Sequence, residues 1–420
     1  MIFLKTNSRS TLFQISIEIN SGSVGRIAEQ IGQAAMQHGW DSYITYARNH
    51  LPSQSKTIKI GNKFDIYWHG INTRLFDNHC LCSTSATKKL IKQIEQIKPD
   101  IILLHHIHGY FLNIKVLFNY LTVLDTPVVW VFHDCWSFTG HCAHFDFVGC
   151  DKWKSQCYHC PQKKEYPGSL WLDQSLRNYT LKKQLFNRAK NMTIVPVSHW
   201  LGSMVQQSFL NKYPIHVIQN GIDINMFSPQ SNGEQVKEKY GVSSKFLLLG
   251  VASTWGSRKG LQDFIALNQR ISDDCQIILV GLTKRQIQEL PNNIIGVERT
   301  ESVQALAALY SAADLFVNPT WEDTFPTTNL EALACGTPIV TYCTGGSVES
   351  VSDDTGFVVD KGNIETLNDV IKIVKQKGKA FYSDNCRNRA MALFNKNDRF
   401  CEYIHLFNQL LENTKQTINE

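Results

Sequence analysis

The sequence predicts an α/β protein built from two parallel-sheet domains. Two separate series of apolar, strand-like runs alternate with helix-like stretches along the 420 residues, as in parallel α/β sheets. Runs such as 101–107 and 127–134 are apolar almost throughout, as expected of strands that are buried on both faces. A polar stretch over 223–245, which contains Pro229 and Gly233, separates the two series and is the predicted linker.

The first series opens with a β-loop-α unit. The partly β-branched run 12–19 predicts a strand, and the loop after it carries Gly22 and Gly25 before an amphipathic helix over 27–39. A second helix is predicted over 87–100, where the apolar residues share one helical face. The other strands predicted in this series are 41–47, 101–107, 127–134, 192–198 and 215–222.

The second series repeats the alternation. The stretch 302–314 predicts one of its helices, and 398–413 predicts a helix near the end of the chain. We therefore expect an N-terminal domain (1–225), a C-terminal domain (226–395) and a final helix (396–420) that packs back on the N-terminal domain. The strands predicted in the second series are 246–253, 275–282, 315–320 and 337–343.

Composition excludes several classes of protein. A hydrophobic content of 43% and a charged content of 19% indicate an ordinary globular chain. The net charge of +5 is too small to argue for nucleic acid, and we expect no nucleic-acid partner. No apolar run reaches the ~18 residues that a spanning helix needs, and the N-terminus has no signal-peptide pattern. These features predict a cytoplasmic protein with mostly reduced cysteines.

Two loops at predicted strand ends suit an anionic ligand. Gly22 and Gly25 let main-chain N–H groups approach an anion at a helix start, although a tight turn explains them equally well. Arg258 and Lys259 follow the strand 246–253 and could clamp a diphosphate; a solvated basic turn is the alternative.

A third loop carries two carboxylates eight residues apart. Asp323 follows the strand 315–320, and Glu331 lies on the helix that comes next. A carboxylate only accepts hydrogen bonds, so Glu331 suits the paired hydroxyls of a ribose. The spacing alone fits equally a helix N-cap and a surface glutamate.

The stretch that contains Asp323 and Glu331 resembles the signature of a known family. The run DTFPTTNLEALACGTPIV (323–340) is similar to the acid-x7-Glu signature of retaining glycosyltransferase family 4, which has the GT-B fold of two facing Rossmann-like domains. The glycine loop, the HD pair at 133–134 and the RKG turn at 258–260 occur in the family's order, so the resemblance covers nearly the whole chain. Where the family often has arginine, this chain has Thr254, which leaves Arg258 as the candidate for the second charge.

The resemblance implies a role for each of these positions. Glu331 would hold the ribose, and Asp323 or Glu322 would contact the donor sugar. His133 would lie beside the donor sugar and Asp134 on the acceptor side. The remaining donor-binding residues that it implies are Gly22, Ser23, Gly25, Arg258, Lys259, Thr300, Phe325, Thr327 and Thr328.

The implied activity is transfer of a hexose-type sugar from a nucleotide-diphosphate sugar, with retention, to a growing surface polysaccharide. Such chemistry requires no cofactor for catalysis. A UDP-sugar is favoured over a GDP-sugar, because UDP-sugars are the commoner donors in such pathways. Two alternatives remain open: a GT-B nucleotide-sugar epimerase, and a non-catalytic, degenerate transferase kept as an assembly protein.

A cysteine-rich insertion over 135–168 carries a separate signal. Cys142, Cys150, Cys157 and Cys160 end in a CxxC pair, which in a reducing compartment suggests a structural zinc site. Free core thiols and a redox-sensitive pair are the alternatives. The insertion also resembles a subgroup of bacterial transferases that build colanic-acid-type, exopolysaccharide or O-antigen repeats, which implies that it shapes the acceptor side.

The resemblance also implies a lipid-linked saccharide acceptor. The segments 87–98 and 181–190 are basic and partly amphipathic, so they are candidates for peripheral contact with the inner face of the plasma membrane. Helices packed on a sheet, with solvated lysines, explain each segment equally simply.

Overall fold

The computed structural model describes residues 9–419. The first eight residues, on which the prediction of no signal peptide depends, lie outside the described residues. The chain divides into two compact units, one running to Ile218 and resuming at Phe400, the other comprising Gln219–Arg399. Between residues 9 and 419, no helix is both long enough and apolar enough to cross a bilayer.

The first unit is a parallel sheet flanked by helices. Its strands are β1 (Thr11–Ile15), β2 (Asp41–Tyr46), β3 (Lys56–Lys59), β4 (Ile101–Leu104), β5 (Val128–Phe132) and β6 (Met192–Pro196). Its helices are α1 (Gly22–Gln37), α2 (Lys63–Phe76), α3 (Thr84–Ile97), α4 (Ile114–Leu121), α5 (Ser175–Phe186) and α6 (His199–Gln207). The strand order is β3-β2-β1-β4-β5-β6, and β4, β5 and β6 are buried along their whole length.

The second unit has a second parallel sheet. Its strands are β7 (Phe246–Val251), β8 (Cys275–Val280), β9 (Ile294–Val297), β10 (Leu315–Asn318), β11 (Ile339–Tyr342) and β12 (Gly356–Val359). The helices from here to the end of the described chain are α7 (Gly233–Lys239), α8 (Leu261–Asn268), α9 (Lys284–Glu289), α10 (Val303–Ala312), α11 (Thr327–Ala334), α12 (Ile364–Lys377), α13 (Ala380–Leu393) and α14 (Lys396–Asn419). The strand order is β12-β11-β10-β7-β8-β9. The fold class is therefore as predicted.

The final helix α14 begins in the second unit and continues in the first from Phe400 onward. Within the first unit, Phe407 packs against Trp40 with ring centroids 5.8 Å apart, and both side chains are buried. Burial of two large aromatic side chains is among the strongest apolar contacts that a helix can contribute.

The structure departs from the predicted strands in two ways. The edge strands β3, β9 and β12 were not predicted; each has only four residues, and several of their side chains are solvent-accessible. The prediction of a strand over 215–222 is wrong, because within the described residues this segment forms only isolated bridges. Its main-chain hydrogen bonds to β6 end at Ile218, where the chain passes into the second unit.

Candidate functional site

In each unit, some of the predicted residues follow a strand beside the place where the strand order reverses. In the second sheet β7 and β10 are neighbours, and the chain continues outward from them in opposite directions. Loops at the carboxyl ends of two such strands form the usual ligand-binding crevice of an open α/β sheet. Arg258 and Lys259 follow β7, and Glu322 and Asp323 follow β10.

The basic turn after β7 is fixed to the loop after β10. Arg258 and Lys259 lie in a 3₁₀ turn that ends at Gly260, whose φ of +75° favours glycine. A Cβ on Gly260 would overlap the carbonyl oxygen of Pro319. The carbonyl oxygen of Arg258 accepts hydrogen bonds from the Trp321 main-chain N–H (2.9 Å) and from the Thr320 hydroxyl (3.3 Å). The two loops therefore form one continuous, hydrogen-bonded edge.

The basic and acidic side chains of this edge are paired. Lys259 Nζ donates a hydrogen bond to Asp323 Oδ2, and both side chains are largely buried. Arg258 lies 3.9 Å from the buried Glu322 carboxylate and keeps a partly exposed guanidinium. Both predicted cations therefore stand beside a predicted acid, and each can also reach an anion at the sheet edge. The main-chain N–H of Phe325 donates to Asp323 Oδ1 at 3.3 Å.

Helix α11 presents Glu331 beside its own first turn. It begins at Thr327, so its early N–H groups, including that of Thr328, point away from the helix body, where they can bind an anion. Glu331 comes one turn after Thr327 on the same face. Its Oε2 accepts a hydrogen bond of 2.9 Å from the hydroxyl of the buried Tyr310. Sequence analysis missed Tyr310, because no local pattern links α10 to α11.

The side chains of two other predicted donor residues, Thr300 and Phe325, make their contacts elsewhere in the second unit. Thr300 follows β9 and donates its hydroxyl hydrogen to the Ser302 carbonyl oxygen at 3.0 Å. The Phe325 side chain is buried and packs against Phe394, with ring centroids 5.9 Å apart. Any contribution of Phe325 to ligand binding therefore comes from its main chain.

In the first unit the reversal lies between β1 and β4. The glycine loop follows β1, and α1 begins at Gly22 with a φ of +62°. A Cβ on Gly22 would lie 3.2 Å from Glu18 Oε2, and one on Gly25 would lie 3.2 Å from the Glu18 carbonyl oxygen. Burial raises the pKa of Glu18 above its ordinary value. Ser23 is exposed beside this closely packed turn.

A cluster of histidines surrounds Asp134 at the ends of β4 and β5. Asp134 Oδ2 lies 2.9 Å from His108 Nε2 and 3.3 Å from His106 Nε2, while Oδ1 accepts from the Trp136 main-chain N–H at 2.9 Å. His133 Nε2 lies 3.2 Å from Nδ1 of His105. The structure thus brings His133 and Asp134 together with His105, His106 and His108, which follow β4.

Within the cluster, the local electrostatics favour an ionised Asp134 and neutral histidines. Burial would raise the pKa of Asp134, but His108 and His106 hold it well below its usual range. Burial lowers the pKa of His106 to about 3 and that of His133 well below its ordinary value. At neutral pH, Asp134 can therefore accept a hydrogen bond from a sugar hydroxyl, and His133 can contribute a polar but uncharged contact.

The same groups have the spacing of a metal site. The ligand atoms of His106, His108 and Asp134 all lie within 4.8 Å of one another. The hydrogen bond between His108 and Asp134 explains this spacing without an ion.

The hydroxyl of Tyr166 lies 3.0 Å from His108 Nδ1 and extends the network into the cysteine-rich insertion. Sequence analysis did not identify Tyr166.

The four predicted zinc-binding thiols line one small cavity in the insertion. Cys142, Cys150, Cys157 and Cys160 all contribute to its wall. The sequence prediction that these thiols share a location is therefore compatible with the structure.

Comparison with known families gives two matches, one in each half of the chain. The family described as Glycosyltransferase Family 4 matches residues 24–226. The family described as Glycosyl transferases group 1 matches residues 245–375. Together the two matches cover more than three quarters of the chain.

Individual proteins resemble the chain over different lengths. WcaC of Escherichia coli K12, which is named as a colanic acid biosynthesis glycosyl transferase, is 22% identical over 85% of this chain and 89% of its own length. A UDP-Gal:alpha-D-GlcNAc-diphosphoundecaprenol alpha-1,3-galactosyltransferase of Escherichia coli is 25% identical over 46% of this chain and 53% of its own length. The solved structure of Anabaena Alr3699/HepE in complex with UDP and glucose has a TM-score of 0.66 at 16% identity, covering 96% of this chain and all of that one.

Proposed function

The chain belongs to the glycosyltransferases of family 4 and group 1, with the GT-B fold, and from this premise we propose its reaction. It transfers a sugar from a nucleoside-diphosphate sugar to a lipid-linked saccharide, with retention, in the synthesis of a bacterial surface polysaccharide. The observation that carries the proposal is the edge of the second sheet, where Arg258 and Lys259 lie beside the loop that leads to the start of α11 and Glu331.

Two parts of a nucleoside-diphosphate sugar, the diphosphate and the ribose, have counterparts at this edge. The two cations and the free N–H groups of α11 suit a diphosphate. The carboxylate of Glu331, oriented by Tyr310, suits the vicinal hydroxyls of a ribose. UDP is favoured as the nucleotide because the similar Anabaena protein was solved with UDP and the similar galactosyltransferase is named for a UDP-sugar.

The proposed step moves one bond and one proton. The acceptor hydroxyl oxygen bonds to the anomeric carbon as the bond from that carbon to the diphosphate oxygen breaks, and the departing phosphate takes the hydroxyl proton. Negative charge grows on the leaving group, so Lys259 and Arg258 stabilise the transition state. The protein supplies this charge itself, and the proposal includes no catalytic metal. Asp134 is proposed to position the acceptor sugar, and His133 to contact the donor sugar.

A lipid-linked acceptor would bring the protein to a membrane, and the first unit has an exposed surface suited to it. Helix α2 buries His69 and Thr73 but exposes its aromatic side chains, which recur on one face. The Leu170 main-chain N–H donates to the Arg74 carbonyl oxygen at 2.8 Å, which places a second apolar segment beside the end of α2. We call the following exposed residues the aromatic patch: Phe64, Tyr67, Trp68, Ile71, Phe76, Leu170, Trp171 and Leu172.

Basic groups accompany the aromatic patch. Lys63 and Arg74 lie on α2, and Lys163 Nζ donates to the Trp171 carbonyl oxygen at 3.0 Å. Aromatic side chains flanked by cations are typical of surfaces that bind anionic bilayers. By contrast, α3 and α5 bury apolar side chains such as Leu90 and Phe186, so the segments selected from sequence do not present this kind of face.

Thermal unfolding with nucleotides tests the donor. A ligand that binds only the folded state at about 100 times its dissociation constant adds ~2.7 kcal/mol to the free energy of unfolding. For units of this size we expect UDP to raise the melting temperature by about 5–10 °C, and GDP, ADP and NAD to leave it unchanged. A shift with GDP alone would change the assigned base. No shift with any nucleotide would contradict the transferase and favour the non-catalytic alternative.

Vesicle co-sedimentation tests the membrane contact. We expect the protein to bind phosphatidylglycerol-containing vesicles. The double substitution Trp68→Glu and Trp171→Glu should weaken vesicle binding about 10-fold or more, because negative charge would replace apolar surface that the bilayer buries on binding. Phe381→Glu, at an exposed phenylalanine of the second unit, is the matched control. Equal sedimentation of the double variant and the control would contradict a role for the aromatic patch.

A further inference from the structure

The cysteine-rich insertion contains a buried imidazole that faces the same cavity as its thiols. His141 lines the cavity together with Cys142, Cys157 and Cys160. Its side chain is fully buried, and its Nε2 has no hydrogen-bond partner among the described residues. A buried nitrogen without a partner is costly to the folded state, so its presence needs an explanation.

The other ring nitrogen of His141 is held by a carboxylate. Nδ1 donates to Oδ1 of the buried Asp77 at 2.8 Å, and Oδ2 of Asp77 accepts from the Gln174 main-chain N–H at 2.8 Å. This bond fixes the proton on Nδ1, so Nε2 is the ring nitrogen left to bind a metal. A carboxylate behind a histidine in this way is the usual outer contact of a metal-binding imidazole.

Main-chain geometry also favours thiolate ligands. The Gly140 main-chain N–H donates to Cys157 Sγ at 3.2 Å. Gly140 is needed for this approach, since a Cβ there would overlap Cys157 and the Ser175 carbonyl oxygen. Cys142 and Cys160 are hydrogen-bonded to each other through their thiol groups. Burial raises the pKa of the Cys157 thiol, and the Gly140 N–H opposes that rise by stabilising the thiolate, which is the form that binds metal.

We propose that Cys142, Cys157, Cys160 and His141 bind one structural zinc ion, with Asp77 orienting the histidine. Three thiolates and one imidazole form a common closed tetrahedral zinc site. No three of these ligand atoms lie within 4.8 Å of one another, so zinc binding would require them to move closer together. Cys150 also lines the cavity, but His141 takes the fourth position because its Nε2 is buried and otherwise unsatisfied.

The ion would fix the insertion against the histidine cluster of the first unit. The buried Lys182 Nζ donates to the carbonyl oxygens of Trp136 (2.7 Å) and Thr139 (3.1 Å), just before the ligands in the chain. The Trp136 ring in turn contacts His108, with ring centroids 5.1 Å apart. The zinc site would therefore support the Trp136 side of the histidine cluster around Asp134 without touching the reacting groups.

Metal analysis of the full-length, untagged protein tests the proposal. We expect ~1 zinc per chain by plasma mass spectrometry, and loss of most of it in Cys157→Ser, Cys160→Ser and His141→Asn. Cys150→Ser and Cys343→Ser, the latter at an exposed thiol of the second unit, should keep their zinc. Asp77→Asn should weaken metal affinity about 10- to 100-fold.

Reconstitution with cobalt gives a test that does not depend on whether the variants fold. The wild-type protein loaded with Co²⁺ should show the visible d–d bands of a tetrahedral site and the near-ultraviolet charge transfer of three thiolates. Absence of zinc, a disulfide between Cys142 and Cys160, or zinc retained in both cysteine variants would overturn the site. Zinc lost in Cys150→Ser but kept in His141→Asn would overturn the ligand set.

Discussion

Replacing Lys259 by alanine is expected to lower kcat by about 10²- to 10³-fold, the cost of removing one preorganised group from a site of developing charge. Lys259 is held at the carboxyl end of β7 by its hydrogen bond to Asp323, so its ammonium is in place before a ligand arrives. Such a group needs no reorganisation when the leaving phosphate gains charge. Steady-state kinetics with a UDP-sugar and a saccharide acceptor give the measurement.

A control separates catalysis from general loss of charge. Lys375 lies on the exposed side of α12, where it pairs with Asp274, so Lys375→Ala removes a lysine of the same unit that is bound to the same kind of partner. We expect that variant to retain wild-type kcat. The assigned role of Lys259 would be wrong if its alanine variant kept kcat within about threefold while remaining folded by circular dichroism.

Replacing Glu331 by alanine is expected to weaken UDP binding by about 10- to 100-fold, because a hydrogen bond to a charged group contributes ~1.5–3 kcal/mol. The structure holds this carboxylate beside the first turn of α11 through the Tyr310 hydroxyl. The loss should be specific to the ribose. We therefore expect wild-type protein to prefer UDP over 2′-deoxy-UDP in calorimetric titrations, and the alanine variant to show little preference.

Two matched variants sharpen this test. Tyr310→Phe keeps the carboxylate but removes its hydrogen bond, so we expect a smaller loss of affinity than for Glu331→Ala. Glu365→Ala, in the first turn of α12, removes an exposed glutamate and should leave binding unchanged. If Glu331→Ala discriminated between UDP and 2′-deoxy-UDP as well as the wild type does, the ribose assignment would be refuted.

The fold could be predicted because its central strands carry a strong local signal. β4, β5 and β8 are almost wholly apolar, which is how strands covered on both faces must look. The edge strand β3 was missed because it reads KTIK, is largely exposed and pairs on one side only. The segment 215–222 was misassigned because its apolar residues suggest a strand although the chain changes partner at Ile218.

Only part of the candidate site could be predicted from the sequence. Arg258 and Lys259 were selected because they follow a strand at the edge where α/β sheets bind ligands, whereas Glu331 was selected by its resemblance to the family signature. The side chains that form hydrogen bonds with the site residues could not be predicted in this way. Tyr310 and Glu331 are 21 residues apart, and Asp77 and His141 are 64 apart, so only the packing of distant elements brings each pair together.

The hydrogen bonds that join the Arg258 turn to the loop after β10 limit how this protein could be re-engineered. Gly260 has no room for a side chain, and two hydrogen bonds to one carbonyl oxygen join the loops, so neither loop can change length independently. Under the proposed function, variation of donor preference is therefore better directed to the segment around Thr300, where the chain between β9 and α10 is more open to solvent. Libraries built there would leave the paired Arg258 and Lys259 edge unchanged.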